Sequence, residues 1–353
     1  MSASLIVLIP VILLGIVGLF CFVGCILPVE GLPGDGEPPP PKPFTEYSGM
    51  TVLPTNSLMA YWPLNETKDT AAAVDRKSAS NGKYIDANTA PPQTVYDWPQ
   101  YSIPNGANPD VLSAAGAGVL TPGQPGIVAG DAVPLPDGSA PACMVVDGAY
   151  VEVDVAFKDK FVPQASFTVE AWVRVDWKVG DPHAFRFVLD MRENTPATAG
   201  FGICAMAVDN QADVYQWRGI LGDGSGAFQF ADTTALKLTL RDPAASAGPV
   251  VYLAMTYDST AGKQTLTLYV DGDQQAEVSG IAYVPNATQP LWIGAGAPYI
   301  TRRTQPADPM NPASPLFPFV GAIQDVAIYG EALDATTIQQ HFKDGKGQPH
   351  PSP

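Results

Sequence analysis

Carboxylates are the residues whose spacing here could do chemistry. Glu152 and Asp154 stand two apart, and Glu170 and Asp176 six apart. Even spacings on a β-strand fall on one face. Two carboxyl groups facing a sugar across a cleft are what hydrolysis of a glycosidic bond requires. The competing reading is an ordinary polar row on the solvent side of a strand. The alternation of "SFTVEAWVRVDW", Ser166 to Trp177, favours that row, with Phe167, Val169, Ala171, Val173 and Val175 set against Thr168, Glu170, Trp172, Arg174 and Asp176. Other chemistries find less support. The only histidines are His183, His341 and His350, without zinc-ligand spacing. There is no Gly-x-Ser-x-Gly elbow. "GDGSG" at Gly222 to Gly226 lacks the Lys-Ser/Thr of a phosphate loop. Cys143 and Cys204 fall in predicted strands. Their spacing leaves open whether they pair, and two buried free thiols is the preferred reading.

The elements that must hold these residues are strands. The 353 residues include 33 Gly and 36 Pro, with 46% hydrophobic and 15% charged residues, which suits a turn-rich β protein. Short runs of strand formers recur from "SLMAYWPLNE" onward, among them "CMVVDGAYVEVD", "VVYLAMTYD", "QTLTLYVDGDQQAEV" and "PLWIGAG". Asp147-Gly148 reads as a two-residue hairpin turn. No repeat of fixed period appears. The net charge of −16 excludes the positive field that nucleic acid needs, and disfavours docking on anionic lipid.

Residues 1–29 are uncharged until Glu30 and long enough to cross a bilayer as one transmembrane helix. A secretory signal is the alternative, and "FVGC" at Phe22 to Cys25 admits a lipidated cysteine. The absence of a positive n-region and the length of the run favour an uncleaved anchor. The large acidic region after it is then expected on the extracytoplasmic side. Residues 30–55 form a Pro-rich stalk. A folded region follows over 56–345, interrupted at 86–140 by a Pro, Gly, Ala and Asn-rich insertion, with a tail over 346–353.

Two motifs in order carry a resemblance. "LYVDG", Leu268 to Gly272, precedes the pattern G-x-I-x-x-V-x-I-Y-x-x-A-L, Gly321 to Leu333. With the strand order from Leu58 onward, this resembles the laminin-G-like, concanavalin A-like lectin/glucanase superfamily. The resemblance implies an all-β, two-sheet antiparallel jelly-roll sandwich whose last strand returns beside the first. It also implies a short C-terminal helix, and Asp334 to Phe342 supplies one, with Asp334 as N-cap and Ile338 and Phe342 on one face.

Many relatives hold one Ca²⁺ at the rim, and the resemblance places Asp75 and Gln324 at the two ligand positions. Gln324 departs from the usual Asp and removes a negative charge on which affinity depends. Asp325 could substitute only if its strand were bulged. One glucanase branch carries Glu-x-Asp-x-x-Glu, but here Phe157 stands where the second Glu belongs after Glu152 and Asp154. The leading expectation is therefore a non-catalytic module that binds a glycan or protein surface through aromatic rim loops. Its candidate contacts are Tyr96, Trp98 and Tyr101 in the insertion, Trp217 with Arg218, and Tyr299 near Arg302 and Arg303. The alternative is a structural subunit of a surface or envelope assembly, alone or with other chains.

Overall fold

The computed structural model describes residues 47–66, 72–85, 119–131, 142–147, 149–177, 185–193, 198–208, 214–233, 244–296 and 318–348. The chain divides into Met1–Pro41 and Lys42–Pro353, and all described residues belong to the second unit. The N-terminal apolar run lies outside them. Among the described residues no helix is long and apolar enough to cross a membrane.

The strands are β1 (Leu58–Trp62), β2 (Ala72–Ala73), β3 (Gly82–Ile85), β4 (Val119–Pro125), β5 (Ala142–Asp147), β6 (Tyr150–Val153), β7 (Phe167–Val175) and β8 (Phe185–Asp190). They continue as β9 (Phe201–Ala207), β10 (Tyr215–Gly222), β11 (Phe228–Asp232), β12 (Val250–Asp258), β13 (Thr265–Val270), β14 (Asp273–Val278), β15 (Leu291–Ile293) and β16 (Val320–Tyr329). Sheet A has the order β14-β13-β12-β7-β16-β5-β4, with β1 also paired to β16, and sheet B the order β11-β10-β9-β8-β15-β6-β3-β2. All pairings are antiparallel.

The core lies between the sheets. The inward row of β7, from Phe167 to Val175, meets Phe201, Ile203 and Ala205 of β9, Leu253 and Met255 of β12, and Ile323, Val326 and Ile328 of β16. Burying each large apolar side chain contributes about 1.5–3 kcal/mol. The alternation read in the sequence thus sorts β7 correctly.

Three expectations need correction. Asp147-Gly148 does not close a hairpin, because β5 pairs within sheet A and β6 within sheet B. The two runs on either side of it pair in different layers, and local turn chemistry does not say which partner each strand takes. The insertion at 86–140 is not all loop: β4 joins the edge of sheet A and a short 3₁₀ turn follows at Ala129–Asp131. The polar row of β7 does not face solvent. Glu170 and Trp172 are fully buried.

What covers that row is a cap on the outer face of sheet A. It consists of the N-terminal segment Tyr47–Leu53, the loop around Ile127–Asp131 and the C-terminal helix Ala335–Gly345. Asp334 does cap that helix, accepting from the Thr337 amide at 2.8 Å. Ile338 is buried, and Phe342 stacks on Trp172 with ring centroids 6.0 Å apart. Two glycines permit the close approach. A Cβ on Gly130 would meet the Asp344 carbonyl oxygen at 2.1 Å, and one on Gly345 would meet the Trp172 ring at 2.1 Å.

β1 pairs with β16, so the last strand does return beside the first. β16 pairs with β5 over Val320–Ile323 and with β1 over Val326–Tyr329. Between those stretches its register against β7 shifts, and Asp325 takes φ +53. This is a bulge, and the extra residue turns its side chain to the same side as Gln324.

Candidate functional site

Asp75 follows β2. One carboxylate oxygen accepts from the amides of Tyr61, Lys77 and Ser78, and the other from the Ser80 amide and the Ser78 hydroxyl. Five donors thus saturate a group that is 5% exposed. The carboxylate organises the turn Arg76–Asn81, whose Asn81 side chain in turn accepts from the Asp75 amide.

Gln324 sits under the cap. Its Oε1 accepts from the amides of Ile127 at 2.8 Å and Val128 at 3.4 Å. That fixes Nε2, which donates to Asp131 Oδ2 at 3.3 Å and Asp325 Oδ2 at 3.2 Å. Asp131 Oδ1 accepts from the amide and hydroxyl of Ser48, and Asp325 Oδ1 from the Tyr61 hydroxyl at 2.5 Å. Burial, with the neighbouring charge of Asp131, pushes the Asp325 carboxyl well above the usual carboxylate range.

These donor sets do not fit a calcium ion. Ca²⁺ takes six to eight oxygens with free lone pairs. Here the oxygens of Asp75 and the amide oxygen of Gln324 are spent on N–H and O–H donors. Among the described residues no group of three or more His, Cys, Asp or Glu side chains is arranged to hold a metal.

The carboxylates offered for hydrolysis are likewise engaged. Glu152 accepts from Trp292 Nε1 at 3.0 Å. Asp154 lies beyond β6 and caps a 3₁₀ turn through the Ala156 amide at 2.9 Å. Asp176 holds Arg174 at 2.7 Å and also accepts from the Gly248 amide. Glu170 accepts from the hydroxyls of Tyr47 at 3.1 Å, Tyr252 at 2.6 Å and Tyr329 at 2.5 Å, and pairs with His341 Nδ1 at 2.9 Å.

Tyr96, Trp98, Tyr101, Tyr299, Arg302 and Arg303 lie outside the described residues. Trp217 is 1% exposed and packed in the core, which leaves it no ring face for a ligand. Arg218 alternates with it and turns outward from β10. Its guanidinium is forked by Asp232, both bonds 2.6 Å, and lies 4.1 Å from the ring centroid of Phe230. Phe230, 39% exposed, is among the large apolar side chains left open in the described residues. A second fork lies further along the same outer face of sheet B. Arg192 pairs with Asp190 and stacks between Phe187 and Phe228, at 4.6 and 5.2 Å.

At the β10–β11 edge of sheet B the structure therefore sets an aromatic ring, a guanidinium and a carboxylate side by side. Sequence reading found Arg218 but not Phe230 or Asp232. The one available signal was the period-2 spacing of Phe228, Phe230 and Asp232 in "FQFAD", which places them on one face.

No curated protein sequence matches the chain. Solved structures that resemble it include the heptameric SAP-like pentraxin from Limulus polyphemus, at 8% identity and TM-score 0.35, covering 51% of this chain and 70% of that one. Another is the Ruminococcus gnavus IT-sialidase CBM40 bound to alpha2,6 sialyllactose, at 13% identity and TM-score 0.36, covering 51% and 84%. A third is the binding domain of botulinum neurotoxin DC in complex with SialylT, at 11% identity and TM-score 0.44, covering 82% and 52%. The chain thus spans about half the length of that toxin domain. The family profile described as the concanavalin A-like lectin/glucanases superfamily matches residues 147–339, more than half of the sequence, and includes both motifs noted above. The chain belongs to the concanavalin A-like lectin/glucanases superfamily.

Proposed function

We propose that this protein is a non-catalytic, lectin-like binding module whose ligand is a glycan, carried outside the cytoplasm on an N-terminal membrane anchor. The observation that carries the binding role is the Arg218–Phe230–Asp232 edge of sheet B. A sugar ring presents an apolar C–H face and a rim of hydroxyls. A partly exposed aromatic ring beside a guanidinium and a carboxylate matches both in one place, in the manner of small-molecule sites with a few placed polar groups. The engagement of Glu152, Asp154, Glu170 and Asp176 in structural bonds supports binding over hydrolysis. The anchor rests on the uncharged run before Glu30.

The test is a glycan array probed with the full chain in mild detergent, beside a reducing-sugar assay on each glycan that binds. Binding without sugar release is the expected result. Sugar release that is lost in Glu152→Gln would establish the hydrolase instead.

A second reading, the structural subunit, is favoured by Met50 and Leu53. They stand three apart on the N-terminal segment and are 61% and 37% exposed. A discrete, stable complex in mild detergent, together with an empty glycan array, would select it.

A further inference from the structure

The cap over sheet A is fastened at one buried polar point. Glu170, from the middle of β7, is fully buried and takes four partners from four different stretches of chain: Tyr47, Tyr252, Tyr329 and His341. Only His341 of these can carry a positive charge. It comes from the C-terminal helix and is 4% exposed. Its ring lies 5.9 Å from that of Tyr329.

The other charged groups around this point are acidic or turned away. Asp344, 2% exposed and one helical turn beyond His341, accepts from the Thr51 hydroxyl at 2.8 Å and from Gln340 at 2.6 Å. Asp131 and Asp325 face each other across the Gln324 amide. Asp271 accepts from the Tyr252 amide at 3.0 Å. Arg174 shares the outward row of β7 but is committed to Asp176. Lys346 lies outside, over the rings of Trp172 and Phe342 at 5.5 Å from each. Among the described residues packed around Glu170, the imidazole is therefore the buried group that can carry positive charge, set against an excess of carboxyl groups.

We propose that the C-terminal helix is a proton-gated latch on the outer face of sheet A, held shut by charged His341 against Glu170 and loosened when the imidazole loses its proton. Opening it uncovers Trp172, Tyr252 and Tyr329, aromatic side chains that pack in one cluster with the helix residues Ile338 and Phe342, with Tyr47 and Val52, with Ile127 and Val128, and with Leu333.

The direction follows from linkage. Burial would lower the His341 pKa, but the Glu170 charge and hydrogen bond outweigh it and raise it above the ordinary histidine value of 6.5. The stabilisation is complete below 6.5 and is lost as pH rises through the raised value. Burial would raise Glu170, but His341 and the tyrosine hydroxyls hold it below 4.5. That share is complete above 4.5 and is lost as pH falls through the lowered value. The latch is tightest between these limits and opens on the alkaline side first in the ordinary range of pH.

The test is amide exchange of the full chain in mild detergent. The protection of peptides from 335–345 is taken as the ratio of the intrinsic exchange rate of the unstructured peptide to the observed rate at each pH, which removes the intrinsic pH dependence of exchange. The ratio should stay level from pH 5 to 6.5 and then fall by about threefold or more by pH 9, since each linked proton allows up to tenfold per pH unit. His341→Asn keeps a donor toward Glu170 without the charge. Its ratio should start lower and lack the fall above pH 6.5. The groups that both chains share, including Asp131, Asp325 and Asp344, cancel in this difference. A level wild-type ratio from pH 5 to 9 overturns the latch, even if the variant does not fold. So does an undiminished fall in His341→Asn.

Discussion

Glu170 is where residue types and structure diverge most instructively. Alternation in the sequence told which face of β7 it occupies, and that was right. It could not tell what lies over that face, because Tyr47 and His341 are 123 and 171 residues away. A carboxylate in a strand row looks the same whether water or three tyrosines and a histidine satisfy it. Removing one partner of a buried pair costs about 3–5 kcal/mol, since the other is left uncompensated. Glu170→Gln should therefore lower the urea unfolding free energy by about 3 kcal/mol at pH 6, and an effect below about 0.5 kcal/mol would refute the hub. The cysteines follow the simpler expectation. Cys143 and Cys204 are both buried and free, and burial pushes their thiols up to about 11 and about 12. Reactivity needs the thiolate. Neither should be labelled by a thiol reagent at pH 8 until the protein is unfolded, as a timed titration in and out of denaturant would read.

Among elements, local signals were most dependable where one segment suffices. The β12–β13–β14 meander and the Asp334-capped helix are both closed by contacts a few residues apart, and both were legible in the sequence. Failure came where two layers compete for a strand. Asp147-Gly148 has the composition of a hairpin turn, yet β5 and β6 are drawn into opposite sheets by their inward rows. The bulge at Asp325 was named only as a condition for a metal ligand. In the structure it marks where β16 exchanges β5 for β1. Cap assembly makes an element-level prediction. A methyl at Gly130 would strike backbone atoms of Asp344, which cannot rotate away. Gly130→Ala should cost about 1–3 kcal/mol, as overpacking does, read as a lower urea midpoint with unchanged slope. An unaltered midpoint would mean that the loop is not seated on the helix.

For the molecule as a whole, the family resemblance read from two motifs was sound, and with it the two-sheet architecture. The site was less legible. Gln324, which the resemblance puts at a calcium-ligand position, spends its amide on bonds within the chain. Melting temperature should accordingly be the same in calcium and in chelator. A ligand at one hundred times its dissociation constant adds about 2.7 kcal/mol, so a clear rise with calcium would show that the rim site binds after all. The exposed ring that gives the proposed ligand edge its shape, Phe230, was invisible as a site because exposure is set by what neighbouring chain does not cover.

The most direct measurement is titration of the best array glycan into the wild-type protein and into Phe230→Ala. Phe230 is partly exposed and outside the core between the sheets, so its truncation should leave the melting temperature nearly unchanged. The account predicts that affinity falls by about tenfold or more, equivalent to about 1.4 kcal/mol. Equal affinity in the two proteins would remove the ligand from this edge of sheet B, and an array on which no glycan binds would contradict the lectin reading itself.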